Sequence, residues 1–97
     1  MWNHVVLLNW KSGTRLEQIA AVEQGFSRLP EKIPEIKEYR FGKNRGLPGS
    51  NFDYALVARF SSRQDFEHYM THPEHLKFMA ELSEPIVASH AAVQFED

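Results

Sequence analysis

Three of the chain's five histidines crowd into "DFEHYMTHPEH", residues 65–75, where His68, His72 and His75 follow one another at intervals of four and three. On an uninterrupted helix that spacing lays side chains along one face, and two imidazoles at i and i+4 can converge on a metal ion. Pro73 stands between His72 and His75 and divides the stretch. The residue before a proline is pushed out of helical torsion angles, and proline itself suits the first turn of a new helix. The histidines therefore belong to two helices, no carboxylate beyond Glu67 and Glu74 completes a ligand set, and no metal site is expected. His68 is expected to face solvent. His72 falls at the junction, with a backbone group of the next helix to cap. His75, one turn into that helix, faces either a cavity or water. Tyr69 in either case needs a partner for its hydroxyl if it is buried.

Outside this stretch, His4 lies between Trp2 and Val6 on one face of a predicted strand, where a lone histidine is either a satisfied core group or a pocket wall. Tyr54, on the same side of its strand as Leu56, is expected to share that space. Trp10, Phe26, Phe66, Phe78 and Met79 either line an apolar cavity or fill the core. His90, between Ala88 and Ala92 in the alternation of the last strand, receives no chemical role. No Gly-rich phosphate loop or serine nucleophile elbow is present, which disfavours nucleotide and hydrolase chemistry. No haem or flavin motif is present either, so no cofactor is expected.

The elements that must position these side chains follow from hydrophobic periodicity. "WNHVVLLNW", residues 2–10, reads as a strand apolar on both faces, followed by Lys11-Ser12-Gly13. Thr14 and Glu17 have the spacing of a capping box, and Leu16, Ile19, Ala20, Val22, Phe26 and Leu29 form a helical stripe predicted to stop near Pro30. "PEIKEYRFGKN" reads as a second strand, "NRGLPGSN" as a loop, and "FDYALVARF" as a third strand with clean alternation. Ser62 caps a helix that Pro73 breaks in two, Pro85 ends the second piece, and "IVASHAAVQF" supplies a fourth strand. The order βαββααβ predicts an α+β fold: a ferredoxin-like sandwich with a four-stranded antiparallel sheet and helices on one face.

The other sheet face would carry Val5, Leu7, Ala55, Val57 and Ala92, an apolar area larger than monomers usually expose. A homodimer joined sheet to sheet is therefore expected. The 97 residues and 42% hydrophobic content fit one small domain over 1–97, and a net charge of -2 with interspersed signs leaves no basic stripe for nucleic acid. The absence of cysteine removes thiolate chemistry and agrees with a reducing cytoplasm. "VVLL" is too short for a membrane span and lacks the basic start of a signal peptide, so a soluble, cytoplasmic, unprocessed protein is expected.

At "NHVVLLNWKSGT", "IPEIKEYRFGKN", "DYALVARFSS" and "HYMTHPEHLKF", the chain resembles the stress-responsive A/B barrel (Dabb) family over nearly its whole length. The resemblance implies a dimeric α+β barrel and a mixed population of activities, from plant stress-associated proteins to a polyketide cyclase. For cyclase-like members it implies a pocket between sheet and helices, with Tyr69 and His75 as acid–base groups and His4 lining the cavity. Many members carry a histidine where this chain has Tyr54, a departure that keeps a hydroxyl and removes a base. Two functions follow as expectations. One is a binding module whose pocket, lined by His4, Tyr54, Phe26 and Trp10, holds a small aromatic or polyketide-like ligand. The other is a cofactor-free enzyme in which His75 removes a proton beside a carbonyl and Tyr69 hydrogen-bonds the enolate oxygen.

Overall fold

The computed structural model describes residues 1–97. In chain order the elements are β1 (Trp2–Trp10), α1 (Leu16–Lys32), β2 (Ile36–Lys43), β3 (Tyr54–Phe60), α2 (Arg63–Thr71), α3 (Pro73–Phe78), a π-helical turn (Met79–Ser83) and β4 (Val87–Glu96). The sheet order is β2-β3-β1-β4, and every neighbouring pair is antiparallel. This is the ferredoxin-like α+β fold, a four-stranded antiparallel sheet with helices on one face. No helix is long and apolar enough to cross a membrane.

β1 is a central strand, and residues opposite one another in its two ladders share a face. His4 pairs with Ala58 and Gln94, Val6 with Leu56 and Ala92, and Leu8 with Tyr54 and His90. These residues face the helices. The opposite face carries Val5 beside Val57 and Val93, and Leu7 beside Ala55 and Ala91. Ala92 was expected on that outer face, but the β1–β4 register puts Ala91 and Val93 there instead. A one-residue change of parity moves every side chain of a strand to the other side.

The helices close the core. Val22, Phe26 and Leu29 of α1 are buried at steps of four and three, and Ile33 just beyond it is fully buried. Pro30 does not stop α1 as expected: the Ile33 N–H still reaches the Leu29 carbonyl at 2.9 Å, so the helix continues to Lys32. Proline costs the one hydrogen bond its missing N–H would make, and burial of Ile33 offsets it. The expected Thr14–Glu17 capping box is also absent. Thr14 Oγ1 donates back to the Lys11 carbonyl at 2.6 Å, and Gln18 Oε1 accepts the Arg15 N–H at 2.9 Å, so the helix starts one residue later. Gly25 lets α3 approach, because a Cβ there would collide with the Phe78 ring.

α2 starts where Ser62 accepts the Asp65 N–H at 3.1 Å. His72 ends α2 in extended geometry and caps α3, its Nδ1 accepting the Glu74 N–H at 3.1 Å. A π-helical turn follows, marked by the bond from the Glu84 N–H to the Met79 carbonyl at 2.8 Å, a spacing of five residues.

Candidate functional site

A cavity of about 510 Å³ lies between the helix-facing side of β1 and β4 and the α2–α3 segment. β1 contributes His4, Val6 and Leu8; β4 contributes Val87, His90, Ala92 and Gln94; the helices contribute Phe66, Tyr69, His75, Phe78 and Met79. The wall holds no lysine or arginine, and Glu84 is its only carboxylate. That size lies within the range of small-molecule sites, which pair an apolar lining with a few convergent polar groups.

The polar groups come from different elements for local reasons. Alternation along β1 turns His4 inward. The break at Pro73 offsets α3 from α2 so that His75 returns toward Tyr69, their ring centroids 4.2 Å apart. The His4 ring lies 6.3 Å from that of Tyr69 and 4.9 Å from that of Phe66. All three polar residues are buried.

Each has one defined hydrogen bond. His75 Nδ1 lies 3.3 Å from the Met70 carbonyl, which only accepts, so Nδ1 carries the proton. His4 Nδ1 lies 2.9 Å from the amide nitrogen of Gln94. The hydroxyls of Tyr69 and Tyr39 are 2.7 Å apart. Burial, followed by the neighbouring His75, lowers the His4 pKa to about 4. Burial also lowers that of His75, against the opposing pull of the Met70 carbonyl. Burial pushes Tyr69 up to about 12, and the Tyr39 hydroxyl pulls against that rise, the sign expected when Tyr39 donates to the Tyr69 oxygen. At neutral pH His4 and His75 are therefore neutral imidazoles and Tyr69 a protonated phenol.

His4, Tyr69, His75 and Phe26 thus stand around one cavity. Trp10 and Tyr54 do not, contrary to expectation. Both belong to the packing beside it: their rings meet at 5.4 Å, and the Tyr54 hydroxyl donates to Glu23 Oε2 of α1 at 2.7 Å. Tyr54 is held in the core beyond Leu8, where α1 rather than α2 covers the sheet. His68 bonds Glu35 at the surface. No group of three or more potential metal-ligating side chains is present.

Tyr39 and Gln94 of this region carried no expectation, and His90, which was given no chemical role, lines the cavity beside Gln94. The alternation of β4 contains the signal for the last two, since His90, Ala92 and Gln94 share one parity, but only the ladder to β1 tells which parity faces inward. Tyr39 lies on β2 at the sheet edge, and its tie to Tyr69 spans thirty residues.

A family model described as Stress Responsive A/B Barrel Domain matches residues 3–97. The stress-response A/B barrel domain-containing protein HS1 of Arabidopsis thaliana is 27% identical over 77 residues, covering 77% of this chain and 71% of that protein. Among solved structures, a dimeric ferredoxin-like protein of unknown function from Thermobifida fusca is 35% identical with a TM-score of 0.89, covering 99% of this chain and 90% of the other. The hydroxynitrile lyase of Passiflora edulis superposes with a TM-score of 0.86 over 97% of this chain and 90% of its own, and at 24% identity that likeness concerns the fold.

Proposed function

The chain belongs to the stress-responsive A/B barrel domain family, and from that premise we propose that it is a homodimeric small-molecule-binding protein with one apolar pocket per subunit. The ligand is a small aromatic or polyketide-like compound bearing oxygen. The observation that carries this reading is the 510 Å³ cavity, where an apolar wall converges on His4, Tyr69 and His75. A wall of this composition favours an apolar body, and three neutral polar groups orient its oxygens.

Dimerisation through the outer sheet face is supported by that face's composition. Val5, Leu7, Ala55, Val57, Ala91 and Val93 form its apolar centre, with Val93 still 56% exposed and Phe95 50% exposed. Polar networks bound both ends: Asn3, Arg59 and Asp97 at one, Asn9 and Asp53 at the other. An apolar patch with a polar rim is the usual anatomy of an interface. The Thermobifida fusca relative is itself described as dimeric.

The test is a thermal-shift screen with substituted acetophenones and resorcinols, repeated on Ala92→Phe, which fills the cavity from β4. Stabilisation by ligand grows as RT ln(1 + [L]/Kd), about 2.7 kcal/mol at a hundredfold excess over Kd. Binding that the wild type shows and Ala92→Phe loses supports the pocket. Absence of any shift across the screen removes it.

A second reading, a cofactor-free enzyme, is favoured by one feature. With Nδ1 held by the Met70 carbonyl, His75 keeps its Nε2 lone pair at neutral pH. In that reading Nε2 takes a proton from the carbon beside a substrate carbonyl, and the Tyr69 O–H hydrogen-bonds the resulting enolate oxygen. His75→Ala then lowers turnover by about 10²–10⁴-fold while far-UV circular dichroism is unchanged.

A further inference from the structure

Three imidazoles line one cavity, and two of them, His4 and His75, each have a ring nitrogen already engaged by the protein. On His75 the engaged Nδ1 meets a carbonyl oxygen, so it must donate and Nε2 is left as an acceptor. On His4 the engaged Nδ1 meets the amide nitrogen of Gln94 at 2.9 Å, a group that only donates. The neutral His4 ring therefore carries its proton on Nε2. Both rings line the cavity, and since Trp2 Nε1 is the only buried side-chain nitrogen or oxygen without a partner, neither free Nε2 is fully buried. The rings are equivalent in composition and opposite in polarity.

We propose that Gln94 is a positioning residue of the pocket: by donating its amide N–H to His4 Nδ1 it holds His4 as the Nε2–H tautomer, so that His4 offers a donor where His75 offers an acceptor. The structure supplies the reason the arrangement is stable. Gln94 stands directly opposite His4 in the β1–β4 ladder, so sheet register places the two side chains beside one another on one face. Burial keeps both rings uncharged at pH 7, which is the state in which a tautomer has meaning.

The ligand class follows from this polarity and rests on the pocket reading above. A matching molecule is neutral, with a carbonyl oxygen to accept from His4 and a hydroxyl or enol to donate to His75, on an aromatic or aliphatic body. A carboxylate matches poorly, because no lysine or arginine lines the wall and Glu84 is part of it.

The experiment reads the tautomer directly in the unliganded protein. Two-bond proton–nitrogen correlation spectra of ¹⁵N-labelled protein at pH 7 are expected to show His4 as Nε2–H and His75 as Nδ1–H. Gln94→Glu replaces the donor with an acceptor, and His4 should then carry a proton on Nδ1 while His75 is unchanged. Gln94→Met keeps the length and removes the donor, and His4 should lose its single tautomer. Finding Nδ1–H on His4 in the wild type, or no response to Gln94→Glu, would overturn the proposal.

Titrations with 2-hydroxyacetophenone and benzoate extend the test to the ligand class. The wild type should bind the ketone at least about tenfold tighter than benzoate, and Gln94→Glu should lose about tenfold for the ketone, the equivalent of one hydrogen bond. Benzoate binding as tightly as the ketone overturns the neutral-ligand assignment. The expected tautomers with neither probe bound would remove the pocket reading and leave the role of Gln94 standing.

Discussion

Tyr39 and Tyr69 meet hydroxyl to hydroxyl at 2.7 Å inside the core, and each is costly to leave unpaired. Tyr39→Phe removes the donor that restrains the Tyr69 pKa. The Tyr69 transition in a spectrophotometric titration is expected to move further up, with a stability loss of about 1–2 kcal/mol in urea unfolding. His4 makes a second residue-scale prediction. Its folded pKa of about 4 lies below the ordinary imidazole value of 6.5, so as pH falls the unfolded chain takes up the proton first. The stability this neutral ring contributes is complete above about pH 6.5, declines as pH drops, and is gone below the folded pKa. The melting temperature should therefore fall between pH 6.5 and 4, and His4→Gln should flatten that slope. The identity of the candidate residues was legible before any fold was known, because His4, Tyr69 and His75 stand out by type and by the family pattern. Their hydrogen-bond partners were not. Gln94 is ninety residues from His4, and the Met70 carbonyl is a backbone group that carries no side-chain signal.

Elements are where local chemistry is strongest, and the misreadings there are equally local. The Pro73 break, the Ser62 cap and the His72 cap follow from proline sterics and side-chain reach, and each sits where the residue types point. Pro30 and Thr14 did not obey the same kind of rule, because burial of Ile33 and a turn at Lys11 outweigh one missing N–H and one capping option. Gly25 shows tertiary packing overriding propensity in the opposite sense. Alanine in a helix interior is normally favoured over glycine by about 1 kcal/mol. At position 25, however, the added methyl meets the Phe78 ring. Gly25→Ala is expected to lower stability by about 1–2 kcal/mol in thermal unfolding, and adding Phe78→Leu should restore part of it. Stabilisation by Gly25→Ala alone would show that α1 and α3 are not packed this closely.

At the scale of the whole molecule, the outer sheet face makes the sharpest prediction. Val57 lies at its centre, paired with Val5 of β1 and with Arg40 of β2. Val57→Lys places a charge in the proposed interface while leaving the pocket face untouched. Light scattering should then report a species near the 11.3 kDa monomer where the wild type gives twice that mass. A wild type that is monomeric at micromolar concentration ends the dimer proposal. Periodicity and residue type alone determined the element order, the antiparallel ferredoxin-like sheet, the division of the histidine stretch and the existence of an apolar outer face, since each depends on contacts within a few residues or on the parity of a single strand. Only the tertiary structure decided that His90, Ala92 and Gln94 face inward, that Tyr54 and Trp10 pack beside the cavity, and that His4 and His75 expose opposite ring chemistry. Those outcomes depend on which residue of β4 lies opposite which residue of β1, a pairing set by the packing of the whole sheet and written in no local stretch of the chain.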